Sequence, residues 1–193
     1  DMEGSRGLGD VYKRQLSYIK DNTIATTNVA NFCKKNDISK MILASTSSIY
    51  GNSGEKEMVE GIDEKINPPS IYASTKLSGE TLAKTILSSQ NTNLIITRFF
   101  TVYGPYGRPD MSILRFIHWI MENKEVRIFG DGEQRRSFTY IDDVIDLLIK
   151  VQNCNSDETF NVGNNQTSSL NEVIKIIENF SDKQANIVNE PRA

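Results

Sequence analysis

Two kinds of apolar pattern alternate along the chain. Met41-Ile42-Leu43-Ala44 and Leu94-Ile95-Ile96-Thr97-Arg98-Phe99 are short, nearly unbroken apolar runs, as expected of strands buried on both faces of a parallel sheet. Around them, apolar residues recur at helical spacing. Leu16, Ile19, Val29, Phe32 and Cys33 predict a helix over 16–36, and a second helix is expected over 70–87. Helix, strand, helix, strand with short connections predicts an α/β fold with a doubly wound parallel sheet. Further on, the pattern predicts a helix over 113–121, a strand over 126–129 and a turn at Gly130-Asp131-Gly132-Glu133. Helices are expected over 141–151, from Ile141, Val144, Ile145, Leu148 and Val151, and over 170–177. A strand is expected over 159–163.

The strand at 41–44 breaks into a hydroxyl cluster, Ser45-Thr46-Ser47-Ser48, followed by Ile49-Tyr50-Gly51. Polar groups at the end of a strand in an open α/β sheet stand where such sheets bind ligands. The helix that follows opens with Tyr72-Ala73-Ser74-Thr75-Lys76, so a phenol and an ammonium share one face, one turn apart. An ammonium beside a phenol favours the phenolate, which is what a general base requires. The residues predict a redox acid/base site, with Tyr72 the proton carrier, Lys76 its tuner and Thr46 the group that orients a substrate hydroxyl.

Composition narrows the chemistry. The chain has 193 residues, 22 basic against 25 acidic, for a net charge of −3, and carries no basic cluster. That argues against a nucleic-acid partner. No apolar run reaches the length of a membrane span and no signal-peptide pattern is present, so a cytoplasmic, membrane-free protein is expected. Cys33 and Cys154 form no metal or redox spacing and read as free thiols. His118 is the only histidine and sits on an amphipathic helix, which argues against histidine triads and histidine-rich metal sites, and no metal is expected. Asp142 and Asp143 read as charges at a helix N-terminus.

Taken together, Thr46 before Tyr50-Gly51 and the later Tyr72-x-x-x-Lys76 resemble the extended short-chain dehydrogenase/reductases of the NAD-dependent epimerase/dehydratase family, which act on nucleotide sugars. The further stretch from Arg98 to Met111, containing Phe100-Thr101-Val102-Tyr103-Gly104-Pro105 and Gly107-Arg108-Pro109, looks most like the UDP-glucuronate 4-epimerases of that family. The resemblance covers about residues 17–192. It implies a Rossmann-like fold, NAD as cofactor, a UDP-sugar as substrate and a homodimeric full-length protein. NAD is preferred over NADP only by that resemblance.

The resemblance also assigns residues. Asn22, Ser45, Tyr72, Lys76 and Phe99 would contact the cofactor. Thr46, Ser47, Ser48, Thr101, Arg108, Phe129, Arg136 and Arg192 would contact the substrate. Arg136 and Arg192 match the diphosphate-binding arginines, suited to the task by forked, permanently charged donors. Phe129 matches the aromatic that stacks on uracil. Arg108 would meet a sugar carboxylate, with Thr101 beside it in place of the asparagine usual in relatives that act on uncharged hexoses. A carboxylate entering a closed site needs such a cation, since an unpaired buried charge is costly.

Alternative activities are a UDP-glucose 4-epimerase or a sugar-nucleotide dehydratase or decarboxylase. By resemblance, dehydratases place an Asp-Glu pair directly after the catalytic threonine, where this chain has Ser47 and Ser48, and decarboxylases a glutamate at the second place, here Ser48. From another class, an inactive binding module or a truncated fragment is the alternative. The intact Thr46, Tyr72 and Lys76 count against it, and the expected lack of the first strand and Gly-rich turn counts for it.

The expected organisation has three parts. Residues 1–15 read as a non-native or disordered leader, since Gly4-x-x-Gly7-x-Gly9 follows no strand and so makes no phosphate cradle. Residues 16–108 are expected to form a partial cofactor domain that lacks its first strands and Gly-rich turn. Residues 109–193 are expected to form a small α+β substrate region, with 140–163 packing back on the sheet. The chain by itself is expected to be poorly active.

Overall fold

The computed structural model describes residues 15–51, 58–61 and 65–191. The expected leader over 1–15 lies outside these residues except for Gln15, which is helical, and Arg192 lies outside them too. The chain divides into two compact units, residues 1–99 with 148–162, and residues 100–147 with 163–193.

The first unit is built on three parallel strands in the order β1-β2-β7, where β1 is Lys40–Thr46, β2 Asn93–Phe99 and β7 Glu158–Val162. The central strand, β2, is buried from Leu94 to Arg98, which is why its sequence is a continuous apolar run. A π-helical segment, Ile19–Ile24, runs into α1 (Ala25–Lys35), and α2 spans Ile71–Leu87. Ala30 and Cys33 from α1 join Ala83 and Leu87 from α2 over Met41, Leu94 and Ile96, forming this unit's apolar core. Gly79 permits the close approach of the two helical stretches. A Cβ there would stand 3.3 Å from Thr26 Oγ1 and 3.4 Å from Asn22 O.

In the second unit, β3 (Thr101–Tyr103) pairs in parallel with β6 (Phe138–Tyr140), and β4 (Glu125–Phe129) with β9 (Asn186–Glu190). β5 (Arg135–Arg136) pairs antiparallel with β8 (Ser168–Ser169). α3 (Ser112–Met121) and α5 (Leu170–Ser181) cover β4, so that Phe116, Ile120, Val126, Ile128, Val173 and Ile174 form the core. α5 begins in a capping box, in which Ser169 and Glu172 satisfy each other's backbone N–H. α4 (Ile141–Val151) straddles the boundary between the units.

The helices and, apart from β9, the longer strands fall where the apolar pattern places them, and the Rossmann-like α/β class holds. β3, β5, β6, β8 and β9 were not anticipated. All but β9 are two- or three-residue pairings, too short to carry a period.

Candidate active site

The catalytic candidates of the first unit sit at the C-terminal end of β1 and the first turns of α2. β1 ends at Thr46, whose hydroxyl accepts from Ser48 N at 3.2 Å and donates to Ser48 Oγ at 3.1 Å. It thereby caps the 3-10 turn Ser47–Tyr50. Thr46 is buried, Ser47 half-buried and Ser48 exposed, so the cluster grades from the sheet out to solvent. The turn closes at Gly51, where φ is +69° and a Cβ would lie 2.3 Å from Asn67 O. Only glycine fits this step.

α2 is started by Ser70, whose Oγ accepts from Ala73 N at 3.2 Å. Tyr72 and Lys76 follow on one face, both half-buried. Lys76 Nζ donates to Ala44 O at 3.1 Å, which ties the helix to β1 just before Ser45 and Thr46. Burial holds the Lys76 ammonium below the ordinary lysine range, because a charge loses solvation there. Asn22, on the π-helical segment, donates from Nδ2 to Thr75 Oγ1 at 3.0 Å, and Thr75 in turn donates to Tyr72 O at 2.9 Å. A π-helical turn re-aims side chains within an otherwise regular helix and recurs at functional sites. Here it brings Asn22 against the Tyr72–Lys76 turn. Phe99 ends β2 half-buried, and Ser45 is buried with its hydroxyl on Glu80.

Several neighbours were missed by sequence reasoning. The ring of Tyr18 stands edge-on to that of Tyr72, with centroids 5.5 Å apart. Glu80, one turn beyond Lys76, forms a buried ion pair with Arg98 at 2.8 Å. Arg98 donates to Tyr50 Oη at 2.8 Å, and Tyr50 to Asn161 Oδ1 at 2.8 Å. Burial raises the Tyr50 phenol above its ordinary range despite the opposing pull of Arg98. The available signal was an arginine within a buried strand, with a glutamate at helical spacing from Tyr72 and Lys76.

In the second unit the substrate candidates fall into separate groups. Thr101 and Arg108 line one cavity of about 110 Å³ with Tyr103, Gly104 and Met111. Arg108 forms a forked contact with Asp110, through Nε at 3.0 Å and NH2 at 2.5 Å. That contact holds the Asp110 carboxyl below the usual range. Phe129 is exposed at the end of β4, and Arg136 is exposed on β5. Its neighbour Arg135 clamps α5 through Glu172 at 3.0 Å. Among the described residues, no group of three or more metal-ligating side chains converges, and no helix is long and apolar enough to cross a membrane.

The model of the NAD dependent epimerase/dehydratase family covers residues 4–163. The chain belongs to that family. The match opens inside the stretch expected to be a leader. A UDP-glucuronate 4-epimerase of Thermodesulfobacterium geofontis is 41% identical over 170 residues, which is 87% of this chain and 52% of that protein. Among solved structures, the UDP-glucuronic acid 4-epimerase from Bacillus cereus in complex with NAD superposes with a TM-score of 0.84 at 38% identity. It matches over 93% of this chain and 58% of its own. An NAD-dependent NDP-hexosamine 5,6-dehydratase involved in tunicamycin biosynthesis superposes with a TM-score of 0.85 at 31% identity, over 100% of this chain and 63% of its own. The chain spans about half the length of the curated relatives it matches.

Proposed function

We propose that the protein carrying this chain is an NAD-dependent isomerase that inverts C4 of UDP-glucuronate through a transient 4-keto sugar. The observation that carries the reading is the arrangement of Tyr72 and Lys76 one turn apart on α2, with Lys76 anchored on Ala44 next to the Ser45-Thr46 strand end. The donor set suits a nicotinamide nucleotide. An ammonium has three protons to give, and one of them goes to Ala44 O, so Lys76 can also serve a ribose hydroxyl. Lys76, Tyr72, Asn22, Ser45 and Phe99 would hold NAD, which when bound takes up the C4 hydride and returns it.

The chain's own part is proton handling. Tyr72 as phenolate accepts the proton of the sugar 4-hydroxyl, with the Lys76 ammonium favouring the phenolate. Thr46 orients that hydroxyl and relays the returning proton. Ser47 and Ser48 add neutral donors, and their lack of a carboxylate disfavours dehydration and decarboxylation. Arg136 and Arg192 would take the diphosphate, Phe129 the uracil, and Arg108 with Thr101 the sugar carboxylate. One observation favours a second substrate, an uncharged UDP-hexose. The Arg108 fork already holds Asp110, so a substrate carboxylate must compete for it. Exposed Val29 and Phe32 on α1 and Leu82 on α2 would serve the expected homodimer. The setting would be sugar-nucleotide supply for polysaccharide biosynthesis in the cytoplasm.

The test is NMR of the product formed from UDP-glucuronate. UDP-galacturonate is expected, and Tyr72→Phe should lower kcat by about 10²–10⁴-fold. No conversion by the wild type, with conversion of UDP-glucose instead, would transfer the reading to the neutral sugar.

A further inference from the structure

A polar row crosses the sheet of the first unit one residue before its C-terminal edge. In register, Ser45 of β1 lies beside Arg98 of β2, and Arg98 beside Asn161 of β7. Glu80 of α2 closes this row from the helix side. Its carboxylate accepts from Ser45 Oγ, from Arg98 Nε at 3.1 Å and from Arg98 NH2 at 2.8 Å. Tyr50 links Arg98 to Asn161, and Asn161 donates onward to Met58 O at 2.9 Å. The Arg98 and Glu80 side chains are only 1% and 2% exposed.

We propose that the Glu80–Arg98 pair is a positioning device that sets the register of α2, and with it Tyr72 and Lys76, against the strand end that carries Thr46. Three observations support this. Tyr72, Lys76 and Glu80 are spaced by four along α2, so they share a face and move together. Ser45, which Glu80 holds, is the residue directly before Thr46. A two-pronged arginine–carboxylate contact is directional, whereas apolar packing lets a helix slide or rotate. Stability alone does not call for these ions, because apolar side chains of similar volume commonly hold such a site as well or better. What the pair supplies is geometry. A misplacement of about 1 Å can cost about 100-fold in rate. The inference rests on Tyr72 and Lys76 being the reacting pair.

The experiment uses the protein carrying this chain and the double variant E80L/R98M, which removes both charges at similar volume. The readouts are thermal melting, NMR titration of the Lys76 side chain, and steady-state kinetics. A near wild-type melt is expected. Lys76 should return toward the ordinary lysine range as it loses its seat on Ala44, and kcat should fall about 100-fold with KM little changed. A folded double variant with the Lys76 titration and kcat of the wild type overturns the proposal. Should the double variant not fold, Arg98→Lys decides. It keeps the buried charge but removes the two-pronged contact with Glu80, and an unchanged Lys76 titration in that folded variant overturns the proposal equally. A wild type without turnover on any UDP-sugar counts against the functional reading, and the Lys76 titration then judges the positioning claim by itself.

Discussion

In the first unit, Arg98 and Glu80 meet with their side chains 1% and 2% exposed, whereas in the second Arg108 and Asp110 meet at 74% and 63%. Both are forked arginine–carboxylate contacts, yet their surroundings give them different work. In the interior the ions have lost their solvation, so each depends on the other, and removing one strands its partner. At the surface water competes for both, the pair holds little energy, and salt screens it. A buried pair can therefore fix geometry, while an exposed pair can open to admit another carboxylate. That contrast suits a unit proposed to hold the reacting groups and another proposed to receive a charged sugar.

The contrast breaks most directly at Glu80. Glu80→Ala leaves Arg98 charged and buried, and should cost about 3–5 kcal/mol in denaturant melts. A loss below about 1 kcal/mol would place the pair with the surface ones. Gly51→Ala comes next. Its Cβ would meet Asn67 O at 2.3 Å on a backbone with φ of +69°, so a loss of at least about 1–2 kcal/mol is expected from the same melts. Arg135→Ala, which removes the half-exposed pair with Glu172 in the second unit, should shift the melt least of the three, and less still in high salt.

The smallest effect is in pH. Lys76 has a folded pKa below its unfolded one, so between the two values the unfolded chain binds more protons. The first unit should therefore gain stability as pH rises through that alkaline window. Asp110 and Glu172 also have folded pKa values below their unfolded ones, so stability again rises with pH, here across the acidic range. Arg108 and Arg135 hold them ionised, so their contribution is present above the unfolded carboxylate range and is lost as pH falls through the folded values. Hydrogen exchange across pH, read over α2 in the alkaline window and over α5 in the acidic one, checks that stability rises with pH in both.

The sequence made some of this legible and hid the rest for physical reasons. β1, β2 and the helices announce themselves because a parallel sheet buries whole runs and a helix repeats its apolar face. Tyr72 and Lys76 are visible because their roles depend on a spacing of four. The polar row was not visible, although Arg98 lay in a strand expected to be buried, because only register places Ser45, Arg98 and Asn161 side by side. Tyr18 was missed because its partner ring lies on another helical stretch. β9 went unread although Ile187 and Val188 marked it, because five residues with polar ends carry a weak pattern.

The central claim is that Tyr72 and Lys76 serve inversion at C4 by way of a 4-keto sugar. The most direct measurement supplies UDP-glucuronate deuterated at C4 in ordinary water and follows the label by NMR. The account predicts UDP-galacturonate with the deuterium still on C4, because the hydride that leaves that carbon is the one that returns. Product with the label exchanged for solvent hydrogen, or label and configuration both unchanged, would contradict it.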